Sequence, residues 1–557
     1  MAVIYVIQLG SGYVDSGAYI KWFNHAENRE PQAAAALASG RLSCLVRSGK
    51  CQRSFCLMGT ANHDVIVVGG GPGGSTAATL LVRAGARVLL VEKEKFPRYQ
   101  IGESLLPATV HGICRLLGVS DDLHAAGFIK KQGGTFRWGK HPTPWTFDFG
   151  SSQVNKALEF NFAYQVERAR FDELLLNNAR RQGVEVREET TVTDVIQDRG
   201  RCSGVTLLDR SGHSTEARAA FIIDASGNQS RLHLHAGERV FSKFFQNLAL
   251  FGYFEGGGRL PAPHNGNIFS CVFPCGWFWY IPLSETLTSV GAVVAKEHVA
   301  KLRSGHVHAM TEFIEGCPEI KLLLTNATRI EKGMYGGYRM RKDYSYLNSR
   351  FWAPGLVLVG DSACFVDPIF SSGVHLATYS GMLAARSIAT ILKRRMPEAV
   401  GLDIYERRYR LEYSVFYDFL VSFYDMHQDE QSYFWKARKV LGSDEAANHA
   451  FLQLVAGAGT TAAEFLRLRE RSGELFQLRV DRTVEPEKRP GLLRELMKER
   501  DVTEVHLRAV ARSVRVGGQD GLDAPLDFNP RGDPAAIEGY RVSPDGLHWE
   551  PMAEASS

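Results

Sequence analysis

Gly69, Gly71 and Gly74 stand at the spacing G-x-G-x-x-G, and Glu92 follows them at the end of the next apolar run. Glycines so placed let backbone approach a pyrophosphate, and an acid about twenty residues on accepts from a ribose hydroxyl. A helix N-terminus after the glycines adds free N–H groups and a positive dipole end. A lone glycine pattern is weak, but this one has its strand, its helix and its acid. Asp224 in IIDASG and Asp361 in VLVGDSA also close apolar runs. Each alone would pass as a cap or turn residue; in this order they set carboxylates where a long ligand lies along a sheet edge, which favours FAD over NAD. Ser372 and Gly373 fall where a turn feeds a helix start, with N–H groups suited to an anion. Trp277 and Trp279 alternate on a strand and so share one face, as plain core or as the wall of a site. Lys130 and Lys131 precede a glycine pair and an aromatic strand.

The elements that position these residues are legible at coarse scale. Residues 64–92 read as strand, turn, small-residue helix and strand. In YQVERARFDELLLNNARRQGVEVREETTVTDVIQ, Phe171, Leu174 and Leu175 recur at helical spacing before alternating strands begin. From about 240 to 345 the chain is rich in aromatics and short alternating runs, a separate sheet with CVFPCGWFWYIPL and TSVGAVVA as its clearest strands. Residues 356–359 form a strand, Gly360 and Asp361 its turn, and a long helix starts near Gly373. The expected organisation is an extension at 1–60, disordered or upstream of the true start, and a nucleotide-binding region at 61–400 with an interleaved sheet (about 130–160 and 240–345). A helical region at 401–515 and a loop-rich tail at 516–557 follow.

Composition excludes several classes. Of 557 residues, 45% are hydrophobic and 23% charged, ordinary values for a globular protein, and a net charge of +4 is too mild to argue for nucleic acid. Nothing approaches a membrane span. The nine cysteines are scattered, with no zinc spacing, so reduced thiols in a cytoplasm are expected and no metal.

Two longer patterns carry a resemblance. GWFWYIPL, with Trp277, Trp279, Ile281 and Pro282, matches W-x-W-x-I-P; FVDPIFSSG, with Phe365, Pro368, Ser371 and Gly373, matches F-x-x-P-x-x-S-x-G. Together with the glycine fingerprint, IGESLLPATV and KKQGGTFRWG, they make residues 64–425 similar to the flavin-dependent halogenases, most of all to those acting on phenolic or pyrrolic groups, and especially on tyrosyl units held by a peptidyl carrier protein.

The resemblance implies an α/β fold: a FAD-binding Rossmann-like domain with an interleaved substrate β-sheet, of the p-hydroxybenzoate-hydroxylase kind, plus a C-terminal helical region. It implies FAD, used as FADH₂ from a separate NAD(P)H-dependent flavin reductase, with O₂ and chloride or bromide. A flavin C4a-hydroperoxide would oxidise the halide to hypohalous acid, in a pocket kept dry against stray nucleophiles. Gly69, Gly71, Gly74, Ser75, Glu92, Arg98, Asp361 and Gly373 would bind the cofactor, and Ser372 with Gly373 the halide. Trp277, Trp279, Ile281 and Pro282 would part flavin from substrate. Lys131, five residues before Phe136 as in the family, would be catalytic, as an ammonium that polarises hypohalous acid or as an amine that forms a chloramine. The chain departs from the tryptophan halogenases at Phe370, where they carry a glutamate that assists the lysine; a self-activating phenol fits that loss, and Glu103 is a candidate acid. An acidic carrier protein would be the partner, docked on Arg407, Arg408, Arg410, Arg467, Arg469, Arg471 and Arg479. The alternatives are a single-component NAD(P)H-dependent hydroxylase or reductase of the same fold, and a catalytically silent flavin-binding partner of a synthetase.

Overall fold

The computed structural model describes residues 63–139, 143–424, 437, 447–458 and 540–551. The extension expected at 1–60 and the arginine-rich segment 462–515 lie outside the described residues.

Two sheets organise the chain. The first has six strands in the order Trp352–Ala353, Leu356–Leu358, Phe221–Asp224, Val65–Val68, Val88–Val91, Glu185–Arg187, all parallel except the Trp352–Ala353 edge. Its central strands, VIVV, VLLV and FIID, are buried along their whole length, because a parallel sheet covered on both faces takes continuous apolar runs. The register sets Val68 beside both Val91 and Asp224, so the glycine turn and the Asp224 turn open at the same, C-terminal edge. Ligands of parallel α/β sheets bind at that edge.

The second sheet has nine strands and is antiparallel except where Ile268–Phe273 runs parallel to Gly133–Arg137. At its centre lie Arg239–Glu255, Leu287–Val294 and Gly276–Pro282. Alternation along Gly276–Pro282 divides its side chains between two cores. Trp277, Trp279 and Ile281 enter the core shared with the first sheet, while Phe278 and Tyr280 enter a second core under the helices His306–Glu315 and Pro318–Leu323.

Two helices join the layers at the nucleotide edge. Pro72–Arg83 begins with Pro at its first turn, where the missing N–H is no loss. It packs backbone to backbone against Ser372–Leu392: a Cβ on Gly381 would lie 2.4 Å from the carbonyl oxygen of Gly73. Small residues at that crossing set the first turn of Pro72–Arg83 against the middle of Ser372–Leu392. The 26-residue helix Glu398–Phe423 then braces the Gly360–Asp361 turn, with the Tyr405 hydroxyl donating to the Leu358 carbonyl and Tyr409 to that of Gly360.

Within the stretch read as a loop-rich tail, Tyr540–Val542 and Trp549–Pro551 pair as a hairpin. Trp549 is buried and donates from its indole N–H to Ser387 Oγ at 2.9 Å. Among the described residues no helix is long and apolar enough to cross a membrane.

Candidate active site

The glycine turn is shaped for close backbone approach. Gly69 has φ +105°, and a Cβ there would lie 2.5 Å from the Ala225 carbonyl oxygen. The Gly74 position is as tight, 1.9 Å from the oxygen of Gly69, whereas at Gly71 the nearest atom is the Arg98 guanidinium, at 3.5 Å. Ser75 donates to the Gly70 carbonyl at 2.9 Å, which ties the first helical turn to the loop. Glu92 accepts from Gly70 N–H at 2.7 Å and Glu94 N–H at 2.9 Å, so its carboxylate also holds the turn. Arg98 is fixed over the turn by Asp172 at 2.8 Å and stacks on Phe96.

The two strand-end aspartates differ. Both oxygens of Asp224 are engaged by its own turn, by the N–H and hydroxyl of Ser226 and by the hydroxyl of Ser230. Both carboxylate oxygens of Asp224 thus hold its own turn, as those of Glu92 hold the glycine turn. Asp361 instead faces guanidinium groups, with Arg341 at 3.7 Å, and burial raises its pKa against the pull of Arg341, Arg168 and Arg239.

The halide candidates sit at the first turn of Ser372–Leu392, after Ser371 in the left-handed conformation. Ser372 Oγ is buried without a hydrogen-bond partner, and a Cβ on Gly373 would meet nothing within 4 Å. A buried, unsatisfied hydroxyl beside open space at the start of a long helix fits an anion and a flat ligand. With the glycine cradle at the same edge, the residues present fit a bound FAD.

Trp277 and Trp279 lie side by side, centroids 6.3 Å apart, and each indole N–H is anchored. Trp279 donates to Ser289 Oγ at 3.2 Å. Trp277 donates to the Tyr424 hydroxyl at 2.7 Å, which donates to Asp367 at 2.6 Å. Ile281 continues the same face, and Pro282 closes the strand opposite Thr288.

Lys131 ends the strand Ile129–Lys131 and is 3% exposed. Its Nζ donates to Ser104 Oγ at 2.9 Å and to the Leu105 carbonyl at 3.2 Å, which leaves the ammonium form one N–H with no partner among the described residues, and it lies 5.5 Å from the centre of the Phe149 ring. Burial lowers its pKa to about 7. Phe370 belongs to an aromatic cluster, 5.1 Å from Phe419, 4.7 Å from Phe423 and 6.3 Å from Phe136. Packed rings therefore surround Phe370, where the resemblance to tryptophan halogenases would set a glutamate. Glu103 is 2% exposed, accepts from Tyr253 at 2.7 Å and has a pKa raised by burial to about 7. It is chain neighbour to the Ser104 that holds Lys131.

The expected arginine surface is corrected in part. Arg410 is buried, bonded to Glu406 and to the carbonyls of Asn348 and Ser349, and Arg408 stacks on Trp549. Helical periodicity turns these two inward; Arg407 is exposed. Arg467, Arg469, Arg471 and Arg479 lie outside the described residues.

Sequence reasoning passed over Asp367, Tyr424, Ser289 and Ser104. Asp367 stood inside the second long pattern, as an acid in an apolar stretch just before a proline. Tyr424 belonged to an aromatic stripe that gave no sign of a polar role.

A family model described as tryptophan halogenase matches residues 64–161 and 153–478. A tryptophan 2-halogenase of Chondromyces crocatus is 36% identical over 384 residues, 68% of this chain and 71% of the relative. A flavin-dependent halogenase of Armillaria mellea is 31% identical over 375 residues, 63% of this chain and 72% of the relative. Among solved structures, the myxobacterial chondrochloren halogenase, a variant of the FAD-dependent halogenases, aligns with TM-score 0.67 at 49% identity, covering 88% of this chain and 99% of that one. A flavin-dependent brominase aligns with TM-score 0.62 at 27% identity, covering 73% and 99%.

Proposed function

The chain belongs to the tryptophan-halogenase family of flavin-dependent halogenases, and from that premise we propose that it chlorinates an electron-rich phenolic ring, a tyrosyl unit on an acidic peptidyl carrier protein, through Lys131. Enzymes of this family use FADH₂, O₂ and a halide, and draw reduced flavin from a separate reductase. Bound reduced FAD supplies the two electrons to O₂ that make an oxidant able to convert halide into hypohalous acid.

The rest falls to the chain's own residues. The Gly69–Gly74 turn and the first turn of Pro72–Arg83 receive the pyrophosphate, with Arg98 beside it, and Asp361 receives hydroxyls of the flavin's side chain. Ser372 and Gly373 hold the halide by N–H and hydroxyl donors. The Trp277 and Trp279 wall keeps water and substrate from the flavin, which blocks direct oxygen transfer. Lys131 then presents the halogen. Its ammonium form hydrogen-bonds hypohalous acid and polarises it; its neutral form exchanges N–H for N–Cl with loss of water. A pKa of about 7 populates both near neutrality. Attack by the ring ortho to the phenol hydroxyl takes the chlorine, releases the ring proton and returns the lysine.

The observation that carries this reading is Lys131 itself, a buried side chain beside the Phe149 ring, with two neutral acceptors and, as the ammonium, one N–H to spare among the described residues. With Phe370 where a carboxylate would assist, the substrate must activate its own ring, as a phenol does. The carrier-bound form rests on the branch resemblance rather than on surface charge. The test supplies reductase, FAD, NADH, O₂ and chloride with free tyrosine in one arm and tyrosyl-carrier protein in the other. A chloride-dependent mass gain confined to the carrier arm is expected; product from free tyrosine alone would overturn the carrier-bound assignment, and product from tryptophan alone, supplied in a third arm, the phenolic one.

A further inference from the structure

We propose that Tyr424 is a positioning residue for halogenation, which bolts the tryptophan wall to the loop that opens the halide helix. The hydroxyl of Tyr424 works in both directions. It accepts the indole N–H of Trp277 at 2.7 Å and donates to Asp367 Oδ2 at 2.6 Å. Asn247 Nδ2 adds a second donor to the same oxygen at 3.2 Å, and Oδ1 accepts the N–H of Ile369 at 3.1 Å. Asp367 is fully buried, and its loop runs through Pro368–Phe370 and Ser371 directly into Ser372. One hydroxyl therefore fixes the distance between the wall and the first turn of the proposed halide helix.

Tyr424 also has a face toward solvent. It caps the C-terminus of Glu398–Phe423 and, with Trp277, Asn247, Gly276 and Phe244, lines an open cleft of about 180 Å³. Trp277, itself 1% exposed, thus borders that cleft, and the Tyr424 hydroxyl is the partner of its indole N–H. Phenylalanine at 424 would keep the ring and its packing against Trp138 and Phe245 but leave the indole N–H and the carboxylate each short of one bond. Trp277 would then loosen toward the cleft and let hypohalous acid out.

This inference rests on the halogenase reading above, and the experiment separates the two. Full-length wild type and Tyr424→Phe are supplied with photoreduced FAD, O₂ and chloride, without substrate, and with monochlorodimedone outside as a trap for escaping hypohalous acid. The wild type is expected to leak little. The variant is expected to bind FAD and reoxidise it at the wild-type rate, while chlorinated trap per flavin reoxidised rises by about tenfold. Asp367→Asn, which keeps the shape, should leak in the same direction. Equal leakage from wild type and Tyr424→Phe overturns the inference and leaves the halogenase reading standing. If no protein forms chlorinated trap or product, the halogenase reading fails, and the inference is then judged by ultraviolet resonance Raman. A shifted indole N–H marker in Tyr424→Phe supports the bolt; an unchanged one overturns it.

Discussion

Gly291 lies directly across from Trp279 in the antiparallel pair, and a Cβ built on it would come within 2.2 Å of the indole ring. The wall depends on that absence, because the indole rests flat over the glycine of the next strand.

Gly291→Ala is therefore expected to force Trp279 off its rotamer or bend the strand. Overpacking of this kind costs about 1–3 kcal/mol. Thermal unfolding should show the loss as a lower Tm. A variant as stable as the wild type would mean that Trp279 has room to move and is not held by its neighbour.

Lys131→Ala should leave FAD binding intact and lower halogenated product by about a hundredfold or more. The pH profile carries a second signature. Burial brings the amine from its ordinary range down to about 7, so the neutral form grows as pH rises through that value. If N–Cl formation is the productive route, product per flavin oxidised should climb from pH 6 to pH 8, at about one inflection near 7. A profile that falls through about 7 assigns the work to the hydrogen bond of the Lys131 ammonium instead, and Lys131→Ala with unchanged product removes the residue from the mechanism altogether.

Glu103 gives a stability prediction with a definite sign. Desolvation pushes its carboxyl up to about 7, against the pull of the Tyr253 and Ser289 hydroxyls. In the unfolded chain a glutamate titrates near about 4.3. Its contribution to stability is fully present below that lower value and is lost as pH rises through about 7. Glu103→Gln cannot lose a proton there, so its Tm relative to wild type should rise between about pH 4.5 and pH 8, by the equivalent of about 3 kcal/mol at most. A difference that stays level across that range would show that Glu103 ionises freely in the folded protein.

Gly373 separates binding from folding. Because a methyl there meets nothing within 4 Å, Gly373→Ala should leave the stability of the chain unchanged or raise it by up to about 1 kcal/mol. The same methyl would stand in the space assigned to flavin and halide. The chloride KM should rise by about tenfold, which corresponds to about 1.4 kcal/mol of lost binding. Unchanged chloride and FAD affinities would move the halide site away from this turn.

The parts of this protein legible in its sequence are those whose determinants lie within a few residues of one another. A strand, three glycines and a helix start form a cradle because each needs only its neighbours' φ and ψ and a short apolar run. The W-x-W alternation is likewise local, since successive strand side chains take opposite faces. Asp224 shows the limit: the residues that close its turn are two and six positions away, yet spacing alone could not say whether its carboxylate faced them or a ligand. Arg408 and Arg410 show it again, since a helix with charges on several sides gives no sign of which side meets Trp549 and the Asn348–Ser349 carbonyls. What only the tertiary structure decided is how the wall is held. Trp277 reaches Tyr424 across 147 residues, and Tyr424 reaches Asp367 across 57. A hydrogen bond between side chains so far apart leaves no period or motif in the chain, because its geometry is set by how sheet and helices pack, and the sequence states only that a tryptophan, a tyrosine and an aspartate exist.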